Sequence, residues 1–291
     1  MDARQITQDL RGKWYGGYGS AACPVCQPAR EKGQNALTLA DGNGGRLLLH
    51  CKKTGCAFGD IRAAAGIAPG DYAAPDPSEV AARQAQERAD AAKRSAQAHR
   101  LWQEAQPMSG TLAESYLRGR GISCPLPETL RFLPSCWHPT AKRFPAMLAL
   151  VDGVADCAVH RTYLAPGGGK AAIAPDKLML GRVSGGAVRL TGAQGPLLVA
   201  EGIETALSLA CGILRKPATI WAALSTSGMR GLHLPKDPHR LTIAPDGDAP
   251  GREAAHALAE RASALGWDVS LLPAPDGRDW NDILTMKGES A

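Results

Sequence analysis

The sequence predicts a multidomain chain of the α/β and α+β classes, in which a small β module is followed by an α+β core and then a parallel α/β unit. Three observations predict it. Residues 1 to about 70 are rich in glycine and cysteine and carry short apolar runs such as 46–50. A Pro- and Ala-rich connector over 71–77 leads into a helix-forming stretch. Beyond Gly195, short apolar runs at 196–200, 218–223, 241–244 and 269–272 alternate with helical segments, as strands of a parallel sheet do. The expected divisions are 1–70, 71–106, 107–194 and 195–291.

Composition bounds the rest. With 291 residues, 44% hydrophobic, 21% charged and a net charge of +5, the chain has ordinary globular content for about two domains. Wholesale disorder and a collagen-like fibre are excluded. The positive balance, 33 Lys and Arg against 28 Asp and Glu, permits a polyanionic partner without establishing one. No stretch approaches the ~20 apolar residues of a membrane span, and Met1-Asp-Ala-Arg-Gln5 has no basic-then-apolar signal pattern. A soluble, cytoplasmic protein without a membrane partner is expected, whose eight cysteines stay free or bind metal.

Four of those cysteines fall before residue 57. Cys23-Pro-Val-Cys26 places two thiols in one turn, and Cys51 to Cys56 supplies a second pair after 24 intervening residues. Four thiolates close a tetrahedral shell, and soft sulfur donors favour one structural zinc. The C-x4-C spacing is wider than the C-x2-C of a usual ribbon, and His50, beside Cys51, is the alternative fourth ligand. A zinc staple suits a module too small for a large core. Trp14, Tyr15, Tyr18, Arg46, Lys52 and Lys53 suit base stacking along a phosphate backbone, although Trp14 and Tyr15 could equally fill a thin core. Cys124, Cys136, Cys157 and Cys211 are expected to act as isolated, small apolar side chains.

The connector ends in a helix start, with Asp76 as N-cap, Pro77 at the first helical position and Glu79 in the first turn. Large apolar residues are missing until Leu101 and Trp102, which predicts an exposed spacer. Thr111 and Glu114 have capping-box spacing before the helix at 112–118, and Gly119 and Gly121 mark its end. In the last segment, Ala255, Leu258, Ala259, Ala262 and Leu265 recur at helical spacing over 254–265.

Acidic residues follow these strands. Leu197-Leu-Val-Ala-Glu201-Gly-Ile-Glu204 puts a carboxylate at a strand's C-terminal end, and Leu241-Thr-Ile-Ala-Pro-Asp246-Gly-Asp248 puts two there. Strand C-termini line the ligand crevice of a parallel sheet, so Glu201, Asp246 and Asp248 are expected to converge. Gathered acids repel one another and call for Mg²⁺ or Mn²⁺, one or two ions, with phosphoryl transfer as the chemistry served. Glu204, Asp279 and Asp282 are possible supporting acids. Asp279 also suits a helix cap near Trp280, and the Asp246/Asp248 pair also suits plain turn chemistry.

These residues resemble the Toprim domain shared by primases, topoisomerases and certain nucleases. Glu201-Gly202 is similar to its first motif, Asp246-Gly-Asp248 with Gly251 to its second, Asp276-Gly-Arg-Asp279 to the acidic segment that follows in primases, and Trp221 to Thr226 to the small-residue loop between the motifs. Tyr116-Leu-Arg-Gly-Arg-Gly-Ile122 resembles the segment that opens a primase polymerase core, and Val159 to Leu164, Gly169 to Ala171 and Asp176 to Gly181 resemble its basic, strand-rich part. With the cysteine module, the chain resembles phage- or plasmid-type DNA primases over almost its whole length. The resemblance implies RNA primer synthesis on single-stranded DNA from ribonucleoside triphosphates, beside a separate replicative helicase. It further implies that Glu201, Asp246 and Asp248 hold the catalytic ions, and that Arg161, Lys170, Lys177, Arg118, Arg120 and Arg182 face nucleotide or template. Thr205 stands where cellular relatives carry an Asp, with Glu204 one residue earlier. A Toprim nuclease and a non-catalytic, zinc-dependent DNA-binding adaptor are the rival readings.

Overall fold

A computed structural model describes residues 1–31, 33–42 and 45–289; the last two residues of the expected 195–291 division lie outside it. The chain divides into two units, Met1–Asp90 and Ala91–Ala291. Among the described residues, no helix is long and apolar enough to cross a membrane.

The first unit pairs β1 (Lys13–Trp14), β2 (Gly19–Ala21), β3 (Leu37–Gly42) and β4 (Arg46–Cys51) in one antiparallel sheet of that order. Helices α1 (Ala3–Asp9) and α2 (Phe58–Ala64) complete it. The core is small, formed by residues such as Ile6, Leu37, Leu39 and Ile61, and Cys23 and Cys51 are buried in it. Trp14 packs partly against that core, whereas Tyr15 and Tyr18 stack on each other in solvent at 5.3 Å between ring centroids.

Helix α3 (Pro77–Glu104) starts where the sequence places it: Asp76 Oδ1 accepts from the Ser78 N–H at 2.7 Å. Its last turns carry Leu101 and Trp102, which cover one face of a second sheet, of order β5-β6-β7-β8-β9. These strands are β5 (Gln106–Pro107), β6 (Leu130–His138), β7 (Lys142–Val151), β8 (Ala158–Tyr163) and β9 (Lys177–Leu180), all antiparallel, with α4 (Leu112–Gly119) between β5 and β6. Thr111 caps α4 as its spacing predicts, accepting from the Glu114 N–H, while Glu114 reaches back to the Gly110 N–H.

The third sheet has the order β10-β12-β11-β13-β14. Its strands are β10 (Val188–Arg189), β11 (Leu197–Ala200), β12 (Thr219–Ala222), β13 (Arg240–Ala244) and β14 (Asp268–Leu271), parallel except for β10. Both faces are covered, as parallel sheets require. Val199, Trp221 and Ile243 pack with residues of α6 (Thr226–Gly231) and α7 (Ala249–Ala264). Leu198, Ala200 and Ile220 share a core with α5 (Ile203–Ser208), with Trp280 and Leu284 of α8 (Trp280–Glu289), and with Met147 and Ala149 of the second sheet. The second and third sheets therefore bury a common apolar layer.

One expectation about cysteine is corrected. Cys124 and Cys211 are not isolated apolar side chains but a disulfide, 87 residues apart in sequence and 5.2 Å apart at Cα. The loop after α4 lies against the π turn Leu209–Ile213, and this approach brings the two Cα atoms within bridging separation.

Candidate functional site

Two groups of ligand-type side chains stand out. In the first unit, the Sγ atoms of Cys23, Cys26, Cys51 and Cys56 all lie within 4.8 Å of one another. Thiolates about 2.3 Å from a shared zinc would sit about 3.8 Å apart, so the cluster has the size and donor chemistry for one zinc. His50 stands outside the group, exposed on β4.

Local structure builds the shell. Gln27 Oε1 accepts from the Cys23 and Ala36 N–H groups, fixing the first turn. Gly55, at φ +63°, lets the chain double back between Cys51 and Cys56, which is how the wider spacing still closes. Burial pushes the Cys23 thiol up to about 12. Burial also raises Cys51, but the backbone N–H groups of Thr54, Cys56 and Lys53 outweigh it and bring Cys51 down to about 5, ready as a thiolate.

The second group lies at the C-terminal edge of the third sheet. Glu201 directly follows β11 and Asp246 follows β13, which pair in register from Leu197 with Leu241 to Ala200 with Ala244. Glu201 is raised to about 7 by burial, then by the charges of Asp246 and Asp248. Asp246 is raised to about 6, again by burial and then by Asp279. Acids that raise one another in this way favour cationic company. Among the described residues, only the four cysteines gather three or more metal-type ligand atoms within 4.8 Å, so the carboxylates form a wider cradle.

Each acid has an assigned environment. Thr205 Oγ1 donates to Asp246 Oδ1 at 3.3 Å, so the hydroxyl beside Glu204 orients a carboxylate rather than supplying one. Asp248 is the N-cap of α7, its Oδ1 accepting from the Gly251 N–H at 2.7 Å. Turn chemistry and electrostatic convergence therefore coexist at Asp248, and one carboxylate oxygen is left over. The Asp246–Asp248 turn is locked to the next acidic segment, because the Gly247 N–H donates to the Arg278 carbonyl and the Gly277 N–H to the Gly247 carbonyl. A Cβ at Gly247 would collide with the carbonyl oxygen of Pro275, so only glycine fits there. Asp279 and Asp282 each accept from the other's N–H, at 2.8 and 3.0 Å, and together cap α8. Asp279 is also close enough to raise Asp246, whereas Asp282 is exposed.

Glu204 is engaged by partners from other elements. It is 4% exposed, Tyr116 donates to Oε1 at 2.8 Å, and Lys177 Nζ lies 3.1 Å from Oε2. Burial alone would raise Glu204, but Lys177 and the hydrogen bonds overcome it and hold the carboxyl well below its usual range. Lys177 also pulls Glu201 and Asp246 downward, so its ammonium lies within reach of both the buried acid and the acidic edge.

The other basic candidates divide. Paired residues on neighbouring strands share a face, and β8 pairs Thr162 with Lys177 but Arg161 with Leu178. Arg161 therefore lies on the α3-covered face, 6% exposed, its guanidinium directed at the Trp137 and Met179 carbonyls. Arg118 donates to the Ile122 and Cys124 carbonyls and pairs with Glu114. Arg120 sits over the Tyr116 ring. Lys170 is exposed, 3.6 Å from Asp176, and Arg182 is exposed after β9.

Sequence reasoning missed the orienting role of Thr205, the anchoring role of Tyr116, and Asn281. Asn281, buried in α8, donates to the Arg120 carbonyl and to Ser208 Oγ, tying α8 to α5. A polar residue flanked by Trp280 and Asp282 carries no periodic signal, so nothing in the sequence singled it out.

Residues 92–190 match a domain of unknown function, DUF7146, and residues 196–290 match the Toprim domain. No curated protein matches the chain. Among solved structures, the chain is similar to a DNA primase domain from Pseudomonas aeruginosa, with 20% identity over 67% of this chain and 74% of that one and a TM-score of 0.40. It is also similar to the zinc-binding and RNA polymerase domains of the Aquifex aeolicus primase (13% identity, 99% and 83% covered, TM-score 0.42). A third is the RNA polymerase domain of Mycobacterium tuberculosis primase DnaG (17% identity, 69% and 80% covered, TM-score 0.39). The acidic edge at Glu201, Asp246 and Asp248 thus lies within the stretch 196–290 that matches the Toprim domain, in a chain that also carries a four-cysteine cluster of a size that suits zinc.

Proposed function

We propose that the chain is a DNA primase that joins ribonucleoside triphosphates into short RNA primers on a single-stranded DNA template. The observation that carries this reading is the meeting of Glu201, Asp246 and Asp248 at one sheet edge, with the Lys177 ammonium beside them. The primase-like segment Tyr116 to Ile122 supports it, because Tyr116 is built into the same neighbourhood through Glu204.

Glu201, Asp246 and the free oxygen of Asp248 would hold one or two Mg²⁺ or Mn²⁺ ions, which when bound polarise phosphate oxygens and lower the pKa of an attacking hydroxyl. Thr205 keeps Asp246 in its rotamer. Lys177 offers its ammonium to the phosphates of the incoming nucleotide, with Lys170 and Arg182 farther out along nucleotide or template. In the joining step a primer 3′ hydroxyl gives up its proton to water as its oxygen bonds to the α-phosphorus, and the bond from that phosphorus to the oxygen bridging the β-phosphate breaks, pyrophosphate leaving with its electron pair. Positioning and electrostatics carry the rate.

In the first unit, the exposed Tyr15–Tyr18 pair, with Lys13 5.3 Å from the Tyr15 ring, gives the template a stacking surface, and the exposed Lys52 and Lys53 add positive charge at the other end of the same sheet. A separate replicative helicase is the proposed protein partner. On this reading 1–70 is the zinc module, 71–106 the linker and helix, 107–194 the start of the polymerase core and 195–291 the catalytic domain.

The test is incubation of the full chain with a panel of single-stranded templates, Mg²⁺ and labelled ribonucleotides. Labelled oligoribonucleotides are expected. Shortened template without incorporation would establish the nuclease reading, and DNA binding with neither reaction would establish the adaptor.

A further inference from the structure

We infer that Glu204 is a positioning residue: a buried counter-ion that, with Tyr116, holds the Lys177 ammonium at the lip of the acidic edge, where it receives the phosphates of a nucleoside triphosphate. The inference takes the identity of that anion from the proposed function and everything else from geometry.

Three elements meet at this point. Tyr116 comes from α4, Lys177 opens β9 and Glu204 lies in the first turn of α5. Both oxygens of Glu204 are occupied, one by the Tyr116 hydroxyl at 2.8 Å and one by Lys177 Nζ at 3.1 Å. At 4% exposure, no route is left for a metal to reach that carboxylate without breaking one of these contacts. Glu204 is thereby separated in role from Glu201, three residues before it.

Lys177 has the complementary property. Its side chain is one-third exposed while its partner is buried, so one side of the ammonium is tethered and the other stays open. A lysine of this length, left free, loses much rotamer freedom on gripping a ligand. Tethering by Glu204 settles that loss during folding, which is preorganisation of an anion contact. The groups facing the pair from the second sheet do not compete for Glu204. His160, on the same face of β8 as Thr162, is buried, and burial followed by Lys177 pushes it down to about 4, so it stays neutral. Lys170 is paired with Asp176.

The experiment uses the full zinc-loaded chain and two probes, Mn²⁺ followed by electron paramagnetic resonance, and ATP with Mg²⁺ followed by calorimetry. Glu204→Gln should keep Mn²⁺ affinity within about threefold and weaken ATP about tenfold, the loss of one charge-assisted contact. Lys177→Met should weaken ATP to a similar degree. The double variant should bind ATP no worse than Lys177→Met alone, because Glu204 acts on ATP only through the Lys177 ammonium. Asp246→Asn should lose Mn²⁺.

Loss of Mn²⁺ binding in Glu204→Gln to the extent seen in Asp246→Asn would make Glu204 a metal ligand and overturn the inference. Unchanged ATP affinity in Glu204→Gln would overturn it too, as would additive losses in the double variant. Should Glu204→Gln fail to fold, Tyr116→Phe carries the test, with ATP expected about threefold weaker and an unchanged affinity contradicting the tether. A chain that shows these binding patterns but makes no primers would refute the polymerase reading and leave this one standing.

Discussion

The cysteine cluster and the carboxylate cluster are both sets of metal-type ligands, yet they differ in how they are held. The four thiols lie within 4.8 Å of one another, brought together by two turns of the same small module. The three acids come from two strand ends about 45 residues apart and stand wider, and burial and neighbouring acids raise the pKa values of Glu201 and Asp246. Thiols can crowd while protonated, whereas ionised carboxylates cannot. The difference teaches that a closed shell belongs to a permanent, structural ion and an open, repulsive cradle to ions that arrive with a substrate.

The strongest way to break this comparison is to open the closed shell. Cys23→Ser should lower zinc from one per chain to none and unfold the first unit, since such sites contribute on the order of 10 kcal/mol. Metal analysis together with limited proteolysis would show it, and protection of the first unit without zinc would count against a structural role. At the open cradle, Asp246→Asn should leave zinc content and thermal stability intact while lowering primer synthesis by more than about 100-fold. Thr205→Val removes only the hydroxyl that orients Asp246, and should cost about 10-fold in Mg²⁺ affinity or rate, read from the Mg²⁺ dependence of synthesis.

A smaller effect sharpens the contrast through pH. Glu201 and Asp246 are raised from their usual 4.5 and 3.8 to about 7 and about 6. The folded chain without Mg²⁺ thus binds their protons more tightly than the unfolded chain. This contribution to stability is largest below about pH 4 and declines as pH rises through 6 and 7. Melting curves at pH 5 and pH 8 should show the decline, Glu201→Gln should flatten it, and Mg²⁺ should reverse it by binding only the folded state. Smallest of all, His50→Ala should leave zinc at one per chain, because His50 is exposed outside the thiol group; reduced zinc would bring it back as a ligand.

What could be read from the sequence follows the same division. The cysteine spacing, the capping at Asp76 and Thr111, and the alternation of strands and helices after Gly195 are local signals, and the structure has each in place. Convergence of Glu201 with Asp246 was legible because parallel topology fixes which strand ends meet. Arg161 was not legible as a buried residue, since one step along a strand reverses the face a side chain occupies and the sequence marks no face for a basic strand. Glu204 escaped for a related reason: it is the second residue of α5, and its partners come from α4 and β9, 88 and 27 residues earlier in the chain. The bond between Cys124 and Cys211 is non-local as well, with no spacing pattern to reveal it.

The central claim is that the acidic edge is an exchangeable cation site used to join nucleotides. The most direct measurement compares primer synthesis by the wild-type chain and by Asp246→Asn at matched zinc content, across a Mg²⁺ titration on single-stranded DNA. Mg²⁺-dependent oligoribonucleotides from the wild type and none from the variant are predicted. Full synthesis by the variant at the same Mg²⁺ concentrations would contradict the account.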